Sequence, residues 1–339
     1  MKKILSLLLA IMFILSMWGC TEQSQPQETE PVTEVTQTEP AETTLPVELT
    51  EPAEEETPSS PILYKATDEE GHVIYLLGSI HVGTEEMYPF PDYLTDAYAQ
   101  SDALAVECDV VSAQKDLALS IRTAKAMVLS DGSKVSDYVP RSCYKRAVEI
   151  LKENNTYNEA MDYYMPVMWY SLISSLATDK AGTSADLGVD MYFLTDALEN
   201  DKTVYEIESV EAQYAMLAGM SMDLQSLLLE EVVNTYGNPQ YNIYLRLMCR
   251  AWADGDADGI LEQSSTEGLP PEQQALIEEF NNAMEGQRNI LMTDYAKQAL
   301  ASGETVFIVV GAAHVLGDDG IAANLAAEGY TVEQVTNNE

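Results

Sequence analysis

The chain has 339 residues and carries 56 Asp and Glu against 17 Lys and Arg, a net charge of −39. Setting aside the eleven Glu of residues 21–60 and the two Lys near the start leaves −30 on the remainder, which is long enough for one sizeable core or two small domains. That charge argues against a nucleic-acid partner and against adhesion to an anionic membrane by charge alone. It reads mostly as solvated surface and is compatible with binding cations or cationic peptides.

The first 20 residues read as a signal segment: Met1-Lys2-Lys3, an apolar run Ile4–Met17 too short to span a membrane, then Trp18-Gly19-Cys20. A small residue directly before a cysteine resembles the bacterial lipobox, in which Cys20 is lipidated; the plainer reading is a signal peptide with an incidental Cys. Residues 21–60 hold Glu, Thr, Pro, Gln and Ser with no aromatic or basic residue. Such a segment buries too little apolar surface to offset its chain entropy and is expected to be a disordered tether. Together these features predict a protein anchored to the cell membrane by lipid on Cys20 and facing the extracellular side, with a single domain over 61–339. Cys108, Cys143 and Cys249 show no metal-site spacing and imply no disulfide framework.

The body opens with a strand at Val73–Leu77, a helix after Pro89 and Pro91 with Leu94, Ala97 and Tyr98 on one face, and a second strand in Ala103–Cys108. From about Ala113 to Gln298 the periodicity is helical, interrupted by a strand at Thr203–Ile207. The helices are expected over Gln114–Leu129, Arg141–Asn154, Tyr164–Ala177, Val189–Asn200, Val210–Gly219, Leu224–Tyr236, Asn242–Trp252 and, with breaks, Pro271–Gln298. A wholly apolar strand at Val306–Val310, a short helix at Ile321–Ala327 and an edge strand at Tyr330–Val335 complete the chain. The expected fold class is therefore α/β, a central sheet built from N- and C-terminal β-α units with a large helical insertion.

Two of the three histidines occupy matching settings. VIYLL runs into Gly78-Ser-Ile-His81, and VFIVV runs into Gly311-Ala-Ala-His314. Each His is expected in the loop at a strand's carboxyl end, where α/β sheets bind ligands, and a second glycine (Gly83, Gly317) is expected to leave room around each ring. Should the two strands be neighbours, His81 and His314 converge. Two imidazoles and a carboxylate suit Zn, Mn, Co or Fe, and would serve equally as a metal-free acid–base pair. Glu107, at the end of ALAVE, is the first candidate carboxylate, expected beside the first GxxH strand. Glu208 is the second, with Glu206 on the same strand face. Arg288 either pairs with a surface carboxylate or anchors a substrate carboxylate or oxyanion. His72, in the turn EEGH, is given no role.

Three blocks carry a resemblance: YLLGSIHVGTEEMYPFPDYLTDAYAQSDALAVECD, LGVDMYFLTDALENDKTVYEIESVEAQ, and GQRNILMTDYAKQALASGETVFIVVGAAHVLGDDGIAANLAAEGYTVEQV. In order and spacing they are similar to the TraB/GumN family, which takes in the Tiki metalloproteases, over about Ile62 to Val335. The resemblance implies a divalent metal ion (Mn, Co or Zn) held by His81, His314 and Glu107, with Glu107, Glu208 and Arg288 in catalysis and Gly78 and Gly311 as motif glycines. It also implies metal-dependent cleavage of an extracellular peptide or protein. The alternative is a lipoprotein that sequesters a peptide or pheromone without turnover; a solute-capture lipoprotein shares the tether but needs no paired GxxH. Ile207 stands where Leu is commoner in the family.

Asp254-Gly-Asp-Ala-Asp-Gly259 imitates half of an EF-hand loop, but Ser265 replaces the bidentate Glu at the twelfth position, so it is read as a helix–helix turn. Tyr163, Tyr164, Trp169 and Tyr170 are spaced as core aromatics.

Overall fold

The computed structural model describes residues 59–261 and 270–336. The expectations for the signal segment, Cys20, nearly all of the tether and Ser265 lie outside the described residues.

Six strands form one sheet: β1 (Leu63–Thr67), β2 (Val73–Ser79), β3 (Ala103–Val106), β4 (Thr203–Glu206), β5 (Val306–Gly311) and β6 (Thr331–Val335). Their order is β4-β3-β5-β2-β1-β6. β4, β3, β5 and β2 run parallel, and β1 is antiparallel to both β2 and β6. The central parallel strands are apolar throughout because helices cover both their faces: β3 is buried at every position and β5 at all but Gly311. β4 and β6 are the edges and alternate or expose most of their residues. The α/β class, the late return of the chain to the sheet and the edge position of β6 stand as expected. β1 was not anticipated, because LYKAT carries only a short apolar alternation ahead of the Asp68–Gly71 turn.

The longer helices are α1 (Asp92–Gln100), α2 (Leu117–Ala126), α3 (Arg141–Glu153), α4 (Pro166–Lys180), α5 (Val189–Glu199), α6 (Val210–Gly219), α7 (Met222–Thr235), α8 (Pro239–Asp254), α9 (Pro271–Asn281), α10 (Gln287–Ser302) and α11 (Ile321–Ala327). α2 to α10 form the expected insertion, entered from β3 and divided by β4. Within it α4 packs against α7, and Trp169 and Tyr170 are fully buried as the aromatic spacing predicts, whereas Tyr163 and Tyr164 lie ahead of α4, Tyr163 exposed and Tyr164 half-buried. Between α9 and α10 the chain winds as a π-helical turn, Asn282–Gly286, which sets the phase at which Arg288 emerges. The DGDADG stretch is a helix–helix turn: α8 ends at Asp254, Gly255 caps it at φ 68°, and Asp256 Oδ1 accepts from Gly259 N at 3.0 Å.

The insertion clamps the end of β2. Gly83 and Ser184 exchange two backbone hydrogen bonds of 2.9 Å, and Val189 N donates to Ile80 O at 3.0 Å. The buried Trp252 donates its indole N–H to Gly78 O at 2.6 Å. Two glycines here are there for contact. A Cβ on Gly83 would stand 1.9 Å from Leu187 O, so this glycine admits the neighbouring backbone and does not make room around the imidazole. A Cβ on Gly78 would stand 2.9 Å from Ala312 Cα, against the helical turn Ala312–Val315 that follows β5.

These contacts give a stability test. Gly78→Ala and Gly83→Ala should each cost about 1–3 kcal/mol or more in urea unfolding, because backbone atoms must move. Gly219→Ala, whose Cβ meets nothing within 4 Å, should be nearly neutral.

Candidate functional site

The site grows from the register of β2 and β5. Ser79 pairs with Gly311, so the two GxxH segments leave adjacent parallel strands at the same level. β3 lies on the far side of β5, with Val106 opposite Val309. Glu107 therefore stands beside the second GxxH strand, not the first as expected, because β5 inserts between β2 and β3. Its position is still at the common edge: Glu107 Oε1 accepts from Gly311 N at 2.8 Å and lies 3.8 Å from His314 Nε2. His81 is in a loop as expected. His314 instead rides on the turn Ala312–Val315, since Ala-Ala-His-Val favours helix and Gly78 leaves space to seat it.

Gly311 marks the meeting point. A Cβ there would lie 3.3 Å from Glu107 Oε1, 3.6 Å from His314 Cδ2 and 3.7 Å from His81 Nε2. The missing side chain leaves a small cradle bounded by two imidazoles and a carboxylate. Two imidazoles and a carboxylate are the donor types that Zn, Mn or Co take, although the three donor atoms are not all within 4.8 Å of one another, so they would have to draw closer to share an ion.

Glu208 follows β4, and its N–H donates to Glu107 O at 2.8 Å, which extends the β3–β4 pairing by one step. A buried carboxylate, Glu107, and a half-buried one, Glu208, thus end up side by side. Arg288, from the first turn of α10, holds both: Nη2 donates to Glu107 Oε2 at 2.5 Å and to Glu208 Oε2 at 2.8 Å, and Nε donates to Glu208 Oε1 at 2.8 Å. Its Nη1 donates to Met284 O at 2.8 Å. Of the two roles considered for Arg288, the structure builds the carboxylate pair, and all three guanidinium nitrogens are committed. Glu206 is exposed and accepts from Asp109 N instead, at 2.8 Å.

Burial opposes ionisation of Glu107, but Arg288 above all, then His314, His81 and the Gly311 N–H, hold its carboxyl well below the usual carboxylate range. The two imidazoles diverge. Burial pushes His314 down to about 4, so its ring is neutral at neutral pH. Burial pulls His81 the same way, yet Asp190 and then Glu107 together more than offset it and the net shift is upward.

Three neighbours had no role in the sequence reading. Gln213 of α6 donates to Glu107 Oε2 at 3.0 Å and Glu208 Oε2 at 2.9 Å, and Cys108 Sγ lies 3.1 Å from its Oε1. Asp190 and Asn289 contact the Nδ1 atoms of His81 and His314. All three lie in the quoted blocks, in VEAQ, LGVD and QRN, which was the available signal. Cys108 is buried, and burial pushes its thiol up.

A separate group sits at the turn before β2. Asp68, Glu70 and His72 are the one set of imidazole and carboxylate donors, among the described residues, gathered within 4.8 Å of one another. Asp68 also caps that turn, accepting from His72 N at 2.8 Å and lying 2.8 Å from His72 Nδ1.

A mixed sheet with its polar cluster at the carboxyl end of parallel strands, assembled from both ends of the chain, defines the class; the chain belongs to the TraB/PrgY/gumN family, whose model matches residues 62–334. It is 24% identical over 245 residues to the uncharacterized protein YbaP of Escherichia coli K12, covering 72% of this chain and 84% of that protein. It is 23% identical over 302 residues to human Metalloprotease TIKI1, covering 76% of this chain but 59% of TIKI1. No solved structure matches the chain. Among the described residues no helix is long and apolar enough to cross a membrane.

Arg288→Leu should destabilise the fold by about 2–4 kcal/mol, since it leaves the buried Glu107 and the half-buried Glu208 facing each other without a cation. Adding Glu107→Gln and Glu208→Gln to that variant should restore most of the loss in urea unfolding, which separates charge balance from lost packing.

Proposed function

We propose that this protein is a metal-dependent hydrolase acting on peptide bonds, with His81, His314 and Glu107 holding one divalent cation of the Mn, Co or Zn kind. The observation that carries the reading is the gathering around Gly311 of both strand-end imidazoles and the Glu107 carboxylate, each with an atom within 3.7 Å of where a Cβ there would stand. A distant relative bearing the name metalloprotease supports it. When bound, such a cation supplies Lewis-acid polarisation of a carbonyl and a water acidic enough to attack at neutral pH.

The chain's own residues do the rest. Glu107 stays ionised because Arg288 and Gln213 hold Oε2, so it contributes charge and position and is a poor proton donor. Glu208 keeps Arg288 in place and thereby sets the charge felt by Glu107. Arg288 spends most of its hydrogen-bonding capacity on Glu107, Glu208 and the Met284 carbonyl, so its main part is to hold the two carboxylates. The surplus negative charge of the body favours neutral or cationic substrates.

We further propose that the protein works outside the cell, tethered through lipid on Cys20. The order of basic start, short apolar run, Gly-Cys and acidic linker supports this.

Metal analysis of the purified protein, followed by peptide cleavage with and without chelator, tests the function. The expected result is close to one ion per chain, cleavage abolished by chelator, and a loss of at least about 100-fold in His81→Ala and His314→Ala. Peptide binding without turnover in the metal-loaded protein would instead make it a sequestering protein.

A further inference from the structure

Both GxxH imidazoles are gripped from behind by the helical insertion. For His81 the grip comes from three consecutive residues. Gly188 lets the chain approach, since a Cβ there would stand 3.0 Å from His81 C and O. Val189 N bonds Ile80 O, and Asp190 Oδ1 lies 3.2 Å from His81 Nδ1. Asp190 is 3% exposed, and its Oδ2 is buried with no hydrogen-bond partner among the described residues. A buried carboxylate left half satisfied calls for an explanation, and the imidazole is the group its charge acts on.

For His314 the grip is one side chain. Asn289 Oδ1 lies 2.6 Å from His314 Nδ1, and Asn289 Nδ2 donates to Asp319 O at 3.0 Å. A backbone carbonyl can only accept, so the amide nitrogen must face Asp319 and the amide oxygen must face the ring. His314 Nδ1 is therefore the protonated nitrogen. The same logic applies to His81, because an ionised carboxylate also only accepts.

We propose that Asp190 and Asn289 are positioning residues that hold His81 and His314 as Nδ1–H tautomers, directing both Nε2 atoms to the cradle beside Glu107. The proposal rests on the metal reading above for its purpose, and on hydrogen-bond chemistry alone for its geometry. The two supports differ in kind. A carboxylate behind His81 makes that ring the more basic donor, whereas the neutral amide behind His314 fixes its orientation without adding charge.

Three histidines in the chain make the test direct. With His labelled by 15N, NMR of the metal-free protein at mildly alkaline pH reports which nitrogen of each neutral ring carries the proton. His81 and His314 should both show protonated Nδ1 and unprotonated Nε2. Asp190→Ala should release the tautomer of His81 alone, and Asn289→Ala that of His314 alone, with His72 as internal control. Asn289→Asp, which keeps an acceptor, should preserve the His314 tautomer. Titration of the native chain and both Ala variants with Zn, Co and Mn should show affinity lowered by about 10–100-fold in each variant. A proton on Nε2 of either ring in the native chain would overturn the proposal, and that reading needs no variant to fold. So would Ala variants that fold and leave both tautomers unchanged. If the native chain takes up no metal while the tautomers are as stated, the hydrolase reading fails and the positioning assignment stands.

Discussion

The site depends on one electrostatic requirement: two carboxylates at the ends of adjacent parallel strands share a buried edge, and a single guanidinium must satisfy both. Like charges about 4 Å apart repel by roughly 4 kcal/mol at the effective dielectric of a protein site, so Glu107 and Glu208 need a cation such as Arg288 between them to stay ionised together. That cation comes from α10, at the far end of the insertion, and the π-helical turn before it sets where it projects. The helical insertion is thus bound to the sheet by charge as well as by apolar packing. Gln213 adds the neutral donor that completes the Glu107 and Glu208 oxygens on the same side.

With Oε2 of Glu107 held by Arg288 and Gln213, Oε1 is turned toward Gly311 and His314. The charge balance then reaches the imidazoles. His314, buried in an environment that includes Arg288, is held neutral, while His81 has its own carboxylate behind it and is shifted the other way. Two copies of one short motif therefore acquire different electrostatic characters from the helices that pack behind them. Segments near each end of the chain form the edge, and the middle of the chain decides what each histidine there can do.

The outline of this arrangement was legible in the sequence because its signals are local. Apolar runs ending in Gly mark strands with crowded exits, and two matching runs spending two of three histidines point to one edge. Glu107 stood out as a carboxylate at the end of an apolar strand. The strand order did not follow from such signals: that β5 lies between β2 and β3 depends on how helices pack across the sheet, which periodicity does not encode. β1 escaped notice because five residues with one clear alternation compete with ordinary loop composition. Asp190, Asn289 and Gln213 escaped because a polar residue in a helix usually faces solvent, and only tertiary packing turns these three inward. Among the glycines, Gly78 takes the close backbone approach expected of a strand exit, whereas Gly83 admits a neighbouring backbone where space around an imidazole was expected.

The central claim is that two strand-end imidazoles and Glu107 hold one cation at the sheet's edge. X-ray absorption at the edge of the metal taken up by the purified chain counts imidazole ligands directly. The account predicts two imidazoles per ion with oxygen donors completing the set. A site with one imidazole and carboxylates, as the turn at Asp68, Glu70 and His72 would provide, or a site with none, would contradict it.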